Sequence, residues 1–432
     1  MTSVHELIRD AATRESAHRR PIALRATGVS SCDTGLARDP WAIDQDPGYG
    51  PGASAADEIP GSAPRQGPLP AEYTAASDEE LTARIRAAKE TLGDRVRILG
   101  HFYQRDEIVE HADFVGDSFM LAQAAKQHPE AEAFVFCGVH FMAETADILS
   151  DAEQAVILPN LAAGCSMADM ATIEQVEDCW RELTAALGPA EPGGLQPVIP
   201  VTYMNSSAAI KAFCGRNGGI VCTSSNARTV LEWAFERGQR VVFFPDQHLG
   251  RNTAKAMGIA EEQMPLWRPH LALGGNTEEQ LRDARVILWN GFCSVHKRFT
   301  VGQIEQARAD FPGVRVIVHP ECPAAVVEAA DGAGSTEYIR LEIEAAAPGS
   351  VIAVGTEINL VNRLQQQRPD LTIFCLDPVV CPCSTMYRIH PAYLAWTLEA
   401  LVAGETPNRI TVSDEVAADS RVALERMLAA RP

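Results

Sequence analysis

At 432 residues the chain is too long for one compact core, so two or three domains are expected. Hydrophobic residues at 46% and charged residues at 22% match an ordinary soluble globular protein and exclude a disordered or collagen-like chain. Lys and Arg number 37 against 57 Asp and Glu, a net charge of −20, which argues against nucleic-acid binding but leaves room for a cleft that takes small anions.

No basic stretch followed by an apolar one opens the chain, and no run approaches the roughly 18 apolar residues of a membrane span. The eleven cysteines are odd in number and irregular in spacing, unlike a secreted disulfide scaffold. A reducing cytoplasm is expected, with thiols available for metal.

Residues 1–75 read as a mobile tail. Between Asp39 and Pro70 the chain is dense in Pro, Gly, Ala and Asp, and it cannot bury enough surface to offset its chain entropy. Cys32 within it is expected to carry no chemistry. A helix begins near Ser77-Asp78-Glu79-Glu80, with Leu81, Ile85 and Ala88 on one face. From Val96 onward, strands and helices alternate, which predicts α/β architecture with parallel sheets.

A repeat underlies that alternation. One strand type ends in Gly100-His101-Phe102-Tyr103, again in Val201-Thr202-Tyr203-Met204-Asn205, and again in Val318-His319-Pro320-Glu321. Each is followed by a hydroxyl turn: Gly116-Asp117-Ser118, Cys222-Thr223-Ser224-Ser225-Asn226 and Gly334-Ser335-Thr336. Second strands follow at Phe134, Val241 and Val351, and third strands at Val156, Val286 and Thr372. The third strands lead to Cys165, Cys293 and Cys383. Three βαβαβ units are therefore expected, over 76–190, 191–305 and 306–432.

The strand-end pairs lie two residues apart, so both members face the same side. Two histidines, two tyrosines and a carboxylate converging on one pocket supply general acids and bases. The hydroxyl turns suit carboxylate or phosphate through free N–H groups and the positive end of a helix. Cap residues alone would explain one such turn, but three at matching positions favour anion binding. Repeat symmetry nominates Cys165, Cys293 and Cys383 as ligands for zinc or an iron–sulfur cluster, with Cys137 the odd one, closing a second strand.

The blocks Gly100-His-Phe-Tyr-Gln104, Phe136-Cys-Gly-Val-His-Phe-Met-Ala-Glu-Thr145, Ala163-Gly-Cys-Ser-Met-Ala-Asp169, Val201-Thr-Tyr-Met-Asn205, Cys222-Thr-Ser-Ser-Asn226, Gly291-Phe-Cys-Ser-Val-His296, His319-Pro-Glu321, Gly334-Ser-Thr336 and Cys383-Ser-Thr-Met386 occur in this order. Together they resemble the quinolinate synthase family, over residues from about 80 to about 395, and against that pattern 188–196 and 249–276 read as insertions. The resemblance implies three pseudo-threefold-related αβα domains around a central active site. It also implies one [4Fe–4S] cluster on Cys137, Cys293 and Cys383, with Cys165 a non-ligand and Cys383 preferred to Cys381. Three protein ligands leave one iron open as a Lewis acid. The implied reaction condenses iminoaspartate with dihydroxyacetone phosphate to quinolinate, phosphate and two waters. In the family, iminoaspartate comes from L-aspartate oxidase or dehydrogenase.

The same resemblance implies substrate-binding positions at His101, Ser118, Tyr203, Met204, Asn205, Ser224, His319, Pro320, Glu321 and Thr336, with Ser225 an alternative to Ser224. Catalytic roles fall to Glu321, Tyr203, Tyr103 and His101. Two competing readings are an aconitase-like hydro-lyase, which should carry arginines near its cluster loops, and a non-enzymatic metal or redox protein using Cys165 as a fourth ligand.

Overall fold

The structure, a computed structural model, describes residues 67–378 and 382–430. Fourteen strands among these residues form three sheets. The first unit contributes β1 (Val96–His101), β2 (Phe114–Gly116), β3 (Ala133–Cys137) and β4 (Ala155–Ile157), all parallel, in the order β2-β1-β3-β4. The second contributes β5 (Ile199–Tyr203), β6 (Ile220–Cys222), β7 (Val241–Phe244), β8 (Leu266–Trp267) and β9 (Val286–Trp289), in the order β6-β5-β7-β9-β8. The third contributes β10 (Arg315–Val318), β11 (Gly332–Ala333), β12 (Val351–Gly355) and β13 (Thr372–Cys375), in the order β11-β10-β12-β13.

The four-strand order is the same in every unit. The chain runs outward from the first strand to a short edge strand, then returns to the other side. This reversal makes a crevice at the carboxyl ends, where open α/β sheets bind ligands. The short edge strands were not expected from sequence: two or three residues are too few to show a period. β3, β7 and β9 are buried at every position, as parallel strands covered on both faces must be.

The first two units share one continuous apolar core, while the third sheet has a separate cluster on each face. The chain beyond the third sheet returns to the first two units. Helix Pro391–Val402 packs on helix Asp78–Leu92, β14 (Arg409–Ile410) pairs antiparallel with β4, and helix Asp414–Ala429 lies on helix Ala208–Arg216 and β6. The third sheet is thus complete by Cys375, well before the end of the expected 306–432 unit. At the other end, Tyr73 is buried and its hydroxyl donates to Glu399 Oε2 at 2.7 Å. The end of the expected tail is therefore part of the folded body; Cys32 lies outside the described residues. The expected insertion at 249–276 holds most of a helix, Gln247–Ala256, and the added strand β8.

Helix Asp414–Ala429 crosses helix Ala208–Arg216 at Gly215, where an added Cβ would stand 1.9 Å from the Asp419 carbonyl oxygen. Gly302, in helix Val301–Asp310, has only an ordinary contact at 3.9 Å. Gly215→Ala should therefore lower the urea midpoint by forcing the C-terminal helix off its partner. Gly302→Ala should raise stability by about 0.5–1 kcal/mol, as in an open helix interior. Equal effects of the two substitutions would contradict this packing.

Candidate functional site

The carboxyl ends of the three sheets meet around one cavity. β1 and β10 end in the same local device. His101 Nδ1 accepts the backbone N–H of Tyr103 at 3.1 Å, and His319 Nδ1 accepts that of Glu321 at 3.3 Å. A ring nitrogen that accepts is unprotonated, so the neutral ring carries its proton on Nε2. Burial, with Arg363 adding to it, pushes the His101 pKa down to about 3. Burial and the neighbouring His296 do the same for His319, also to about 3. Both rings are therefore neutral donors at ordinary pH.

Glu321 is the centre of a buried network. Its Oε1 accepts from the Tyr203 hydroxyl at 2.7 Å, and its Oε2 pairs with His296 Nδ1 at 2.8 Å. Burial raises the pKa of this carboxyl. The two neighbouring imidazoles, His296 and His319, with the hydrogen bonds from His296 and Tyr203, more than offset that and hold it at about 2. An ionised carboxylate only accepts, so His296 carries its proton on Nδ1 and presents Nε2 as an acceptor. That nitrogen lies 3.1 Å from Thr356 Oγ1 and 3.4 Å from the Tyr103 hydroxyl, which is itself 2.8 Å from Thr356 Oγ1. The His296 and His319 rings stack at 4.4 Å. The chain Tyr203–Glu321–His296–Thr356–Tyr103 thus joins all three units.

The hydroxyl turns follow the edge strands β2, β6 and β11, and Ser118, Ser224 and Thr336 all face the cavity. Asp117 caps its helix by accepting from Phe119 N and Met120 N, and its other oxygen accepts from Ser225 Oγ at 3.1 Å. Ser225 is committed to that bond, which leaves Ser224 as the cavity hydroxyl. Among the described residues no Lys or Arg lines the cavity, so anions there would meet hydroxyls, N–H groups and neutral histidines.

The cysteines show the threefold relation most clearly. Cys165, Cys293 and Cys383 each begin one turn in which the residue four positions on donates its N–H to the cysteine carbonyl. These bonds are Asp169 to Cys165 at 3.1 Å, Lys297 to Cys293 at 3.0 Å and Tyr387 to Cys383 at 2.9 Å. The N–H three positions on, from Ala168, His296 and Met386 respectively, points at the thiol. Burial pushes all three thiols up, and the N–H donors aimed at sulfur work against it by favouring the thiolate, as is usual around iron–sulfur clusters. All three thiols line the cavity and act electrostatically on one another.

Cys137 does not belong with them. It lies fully buried in β3, the charges that act on it are Lys89 and Asp113, and it does not reach the cavity wall. The first unit thus sets Cys165 on the cavity wall, where Cys137 was expected. Met204 and Pro320 also miss the cavity. Each sits between two inward-facing residues, so chain alternation turns it away. Met204 is buried with its sulfur 3.5 Å from Thr145 Oγ1, and the Pro320 carbonyl accepts from Asn252 Nδ2 at 2.8 Å. His101, Tyr103, Tyr203, Asn205, His319 and Glu321 all reach the cavity. Cys381 lies outside the described residues. Sequence reasoning missed His296 and Thr356, although the Cys293-to-His296 spacing of one helical turn was a usable signal.

Metal can be held here in two ways. The ligand atoms of Cys293, His296 and Glu321 lie within 4.8 Å of one another, close enough for a single ion. The three cavity thiols do not all approach that closely, so they suit a body larger than one ion. No helix among the described residues is long and apolar enough to cross a membrane.

A family model described as Quinolinate synthetase A protein matches residues 83–429. The quinolinate synthase of Corynebacterium glutamicum is 70% identical over 384 residues, covering 89% of this chain and 96% of that protein. That of Streptomyces coelicolor is 56% identical over 363 residues, covering 83% and 91%. That of Rhodopirellula baltica is 52% identical over 370 residues, covering 83% and 93%.

The buried histidines have a consequence for stability. With a folded pKa of about 3 against an ordinary 6.5, His319 binds its proton only in the unfolded chain throughout that interval. Stability therefore rises with pH across the interval and levels off above 6.5. Urea unfolding between about pH 5 and 6 should show His319→Gln with a shallower slope than the parent. The difference should be roughly 1.4 kcal/mol per pH unit, and an unchanged slope would remove His319 from the titration.

Proposed function

The chain belongs to the quinolinate synthetase A protein family, and on that premise we propose that it condenses iminoaspartate with dihydroxyacetone phosphate to quinolinate, phosphate and two waters. The observation that carries this reading is the threefold convergence on one cavity of a thiol, a hydroxyl turn and a polar strand end from each unit. Iminoaspartate brings two carboxylates and its partner a phosphate, which accounts for several anion cradles built without arginine.

Cys165, Cys293 and Cys383 would hold a [4Fe–4S] cluster, their soft thiolates and wide spacing suiting it. When bound, it supplies a Lewis acid through an iron that has no protein ligand. His101 and His319 donate Nε2–H to a carboxylate or carbonyl oxygen of the substrate. Ser118, Ser224 and Thr336, with the N–H groups beside them, bind phosphate and carboxylate, while Asn205 and Tyr203 fix orientation. Glu321 carries the charge for proton transfer. Its ionised carboxylate orients His296 and stabilises the imidazolium formed when Nε2 takes a proton, and Tyr103 and Thr356 stand where that proton passes on. L-Aspartate oxidase or dehydrogenase would supply iminoaspartate in the cytoplasm.

A second reading, a single ion on Cys293, His296 and Glu321, rests on their 4.8 Å convergence. Analysis of iron and acid-labile sulfide after anaerobic reconstitution separates the two, since a lone ion brings no sulfide. Under the first reading, Ser at Cys165, Cys293 or Cys383 abolishes the sulfide and the visible absorption band, while Cys137→Ser keeps both. Loss in Cys137→Ser with retention in Cys165→Ser would reverse the assignment.

Glu321→Gln should keep the cluster and bind a dicarboxylate analogue, yet form quinolinate about 10²–10⁴-fold more slowly in an anaerobic assay. Near-normal turnover would take Glu321 out of the proton path.

A further inference from the structure

Lys211, on helix Ala208–Arg216, is the one lysine among the described residues that is buried, and its exposure is 0%. Its ammonium donates to the Ser206 carbonyl and lies 5.4 Å from the centre of the Phe141 ring. Phe141 is part of the cavity wall. Among the described residues no carboxylate forms an ion pair with it. Glu144 acts on it only at longer range, and its Oε2 is taken by the Ala208 N–H at 3.0 Å. The other groups that act on this charge are thiols, Cys214 and Cys165. Cys214 is fully buried, whereas Cys165 faces the cavity.

A buried ammonium without a close partner is costly, and proteins keep one where an anion meets it. Burial pushes Lys211 down to about 8, with Glu144 and the two thiols holding it up, so it remains charged at neutral pH. The cavity it stands behind is short of positive charge: no Lys or Arg lines it, and Glu321 is ionised. Three thiolates would add to that excess.

We propose that Lys211 is the internal counter-ion of the thiol-lined cavity, a fixed positive charge behind the Phe141 part of its wall that makes an anionic cluster easier to retain and to reduce. This rests on the cluster reading given above. The plainer role is mechanical: Lys211 ties down the Ser206 carbonyl and so holds the Tyr203–Ser206 segment in place. Glutamine separates the two roles, since it can still donate to a carbonyl but carries no charge.

The experiment compares the full chain with Lys211→Met and Lys211→Gln, each reconstituted anaerobically. It measures the midpoint potential of the cluster and the rate of iron loss to a chelator. As the counter-ion, Lys211 predicts a more negative midpoint and faster iron loss in both variants. The loss should be about tenfold or more, the range usual for residues just behind metal ligands. Apoprotein unfolding should be unchanged or improved in Lys211→Met, because an uncompensated buried charge has been removed. Parent-like potential and iron loss in loaded Lys211→Gln, with defects only in Lys211→Met, would establish the mechanical role and overturn the proposal. Parent-like behaviour of both loaded variants would overturn it equally. Failure of the parent itself to take up iron and sulfide would instead sink the cluster reading, and the counter-ion with it.

Discussion

Parallel strands end with backbone groups that the ladder does not pair, and side chains at those ends must supply or find partners. Here three such ends face one another, so the solution in each sheet constrains the other two. His101 and His319 each take up a backbone N–H two residues on, which orients the rings and leaves Nε2 free. Glu321 then bonds Tyr203 from the second sheet and His296 from the turn after β9. The chain of contacts reaches Tyr103 in the first unit through Thr356 in the third. Removing any one member would leave a buried polar group unpaired, a costly state in a dry site.

The first two units behave as one body around a shared core, braced by the C-terminal helices that return across them. The third sheet keeps its own apolar clusters, touched from outside by Phe102 and Val115. Polar ties join it to the others as well, through the Glu321 network, through Asn359 to the Tyr103 carbonyl and through Arg363 to Asp106 and Phe102. The site is therefore built at a junction held by hydrogen bonds together with apolar contacts such as that of Phe102.

Electrostatically the cavity is held neutral or negative by burial. His101 and His319 stay uncharged, Glu321 stays ionised, and the turns offer dipoles rather than arginines. Such an arrangement recognises anions by geometry and releases them readily, since no full charge holds them in place. It also leaves the thiols without a guanidinium or ammonium at the wall, which is why Lys211, the one buried lysine among the described residues, stands out behind Phe141.

Much of this was legible in the sequence. Alternation of strand and helix, the threefold repeat, the hydroxyl turns and the strand-end pairs are local patterns, and local patterns survive without coordinates. Motif blocks in a fixed order identified the family, yet they did not say which cysteine of the first unit turns its sulfur inward. Cys137 closes a short apolar strand, and Cys165 follows another after a loop. Only the tertiary structure separates them, because the i+4 turn that aims an N–H at sulfur forms at Cys165 and not at Cys137. The choice of Ser224 over Ser225 likewise waited on a contact with Asp117, more than a hundred residues away. His296 and Thr356 became visible only when strands from different units were set side by side. Sequence reports what a residue is and which side of its own strand it takes, while its partner across a domain junction is decided by how the sheets pack.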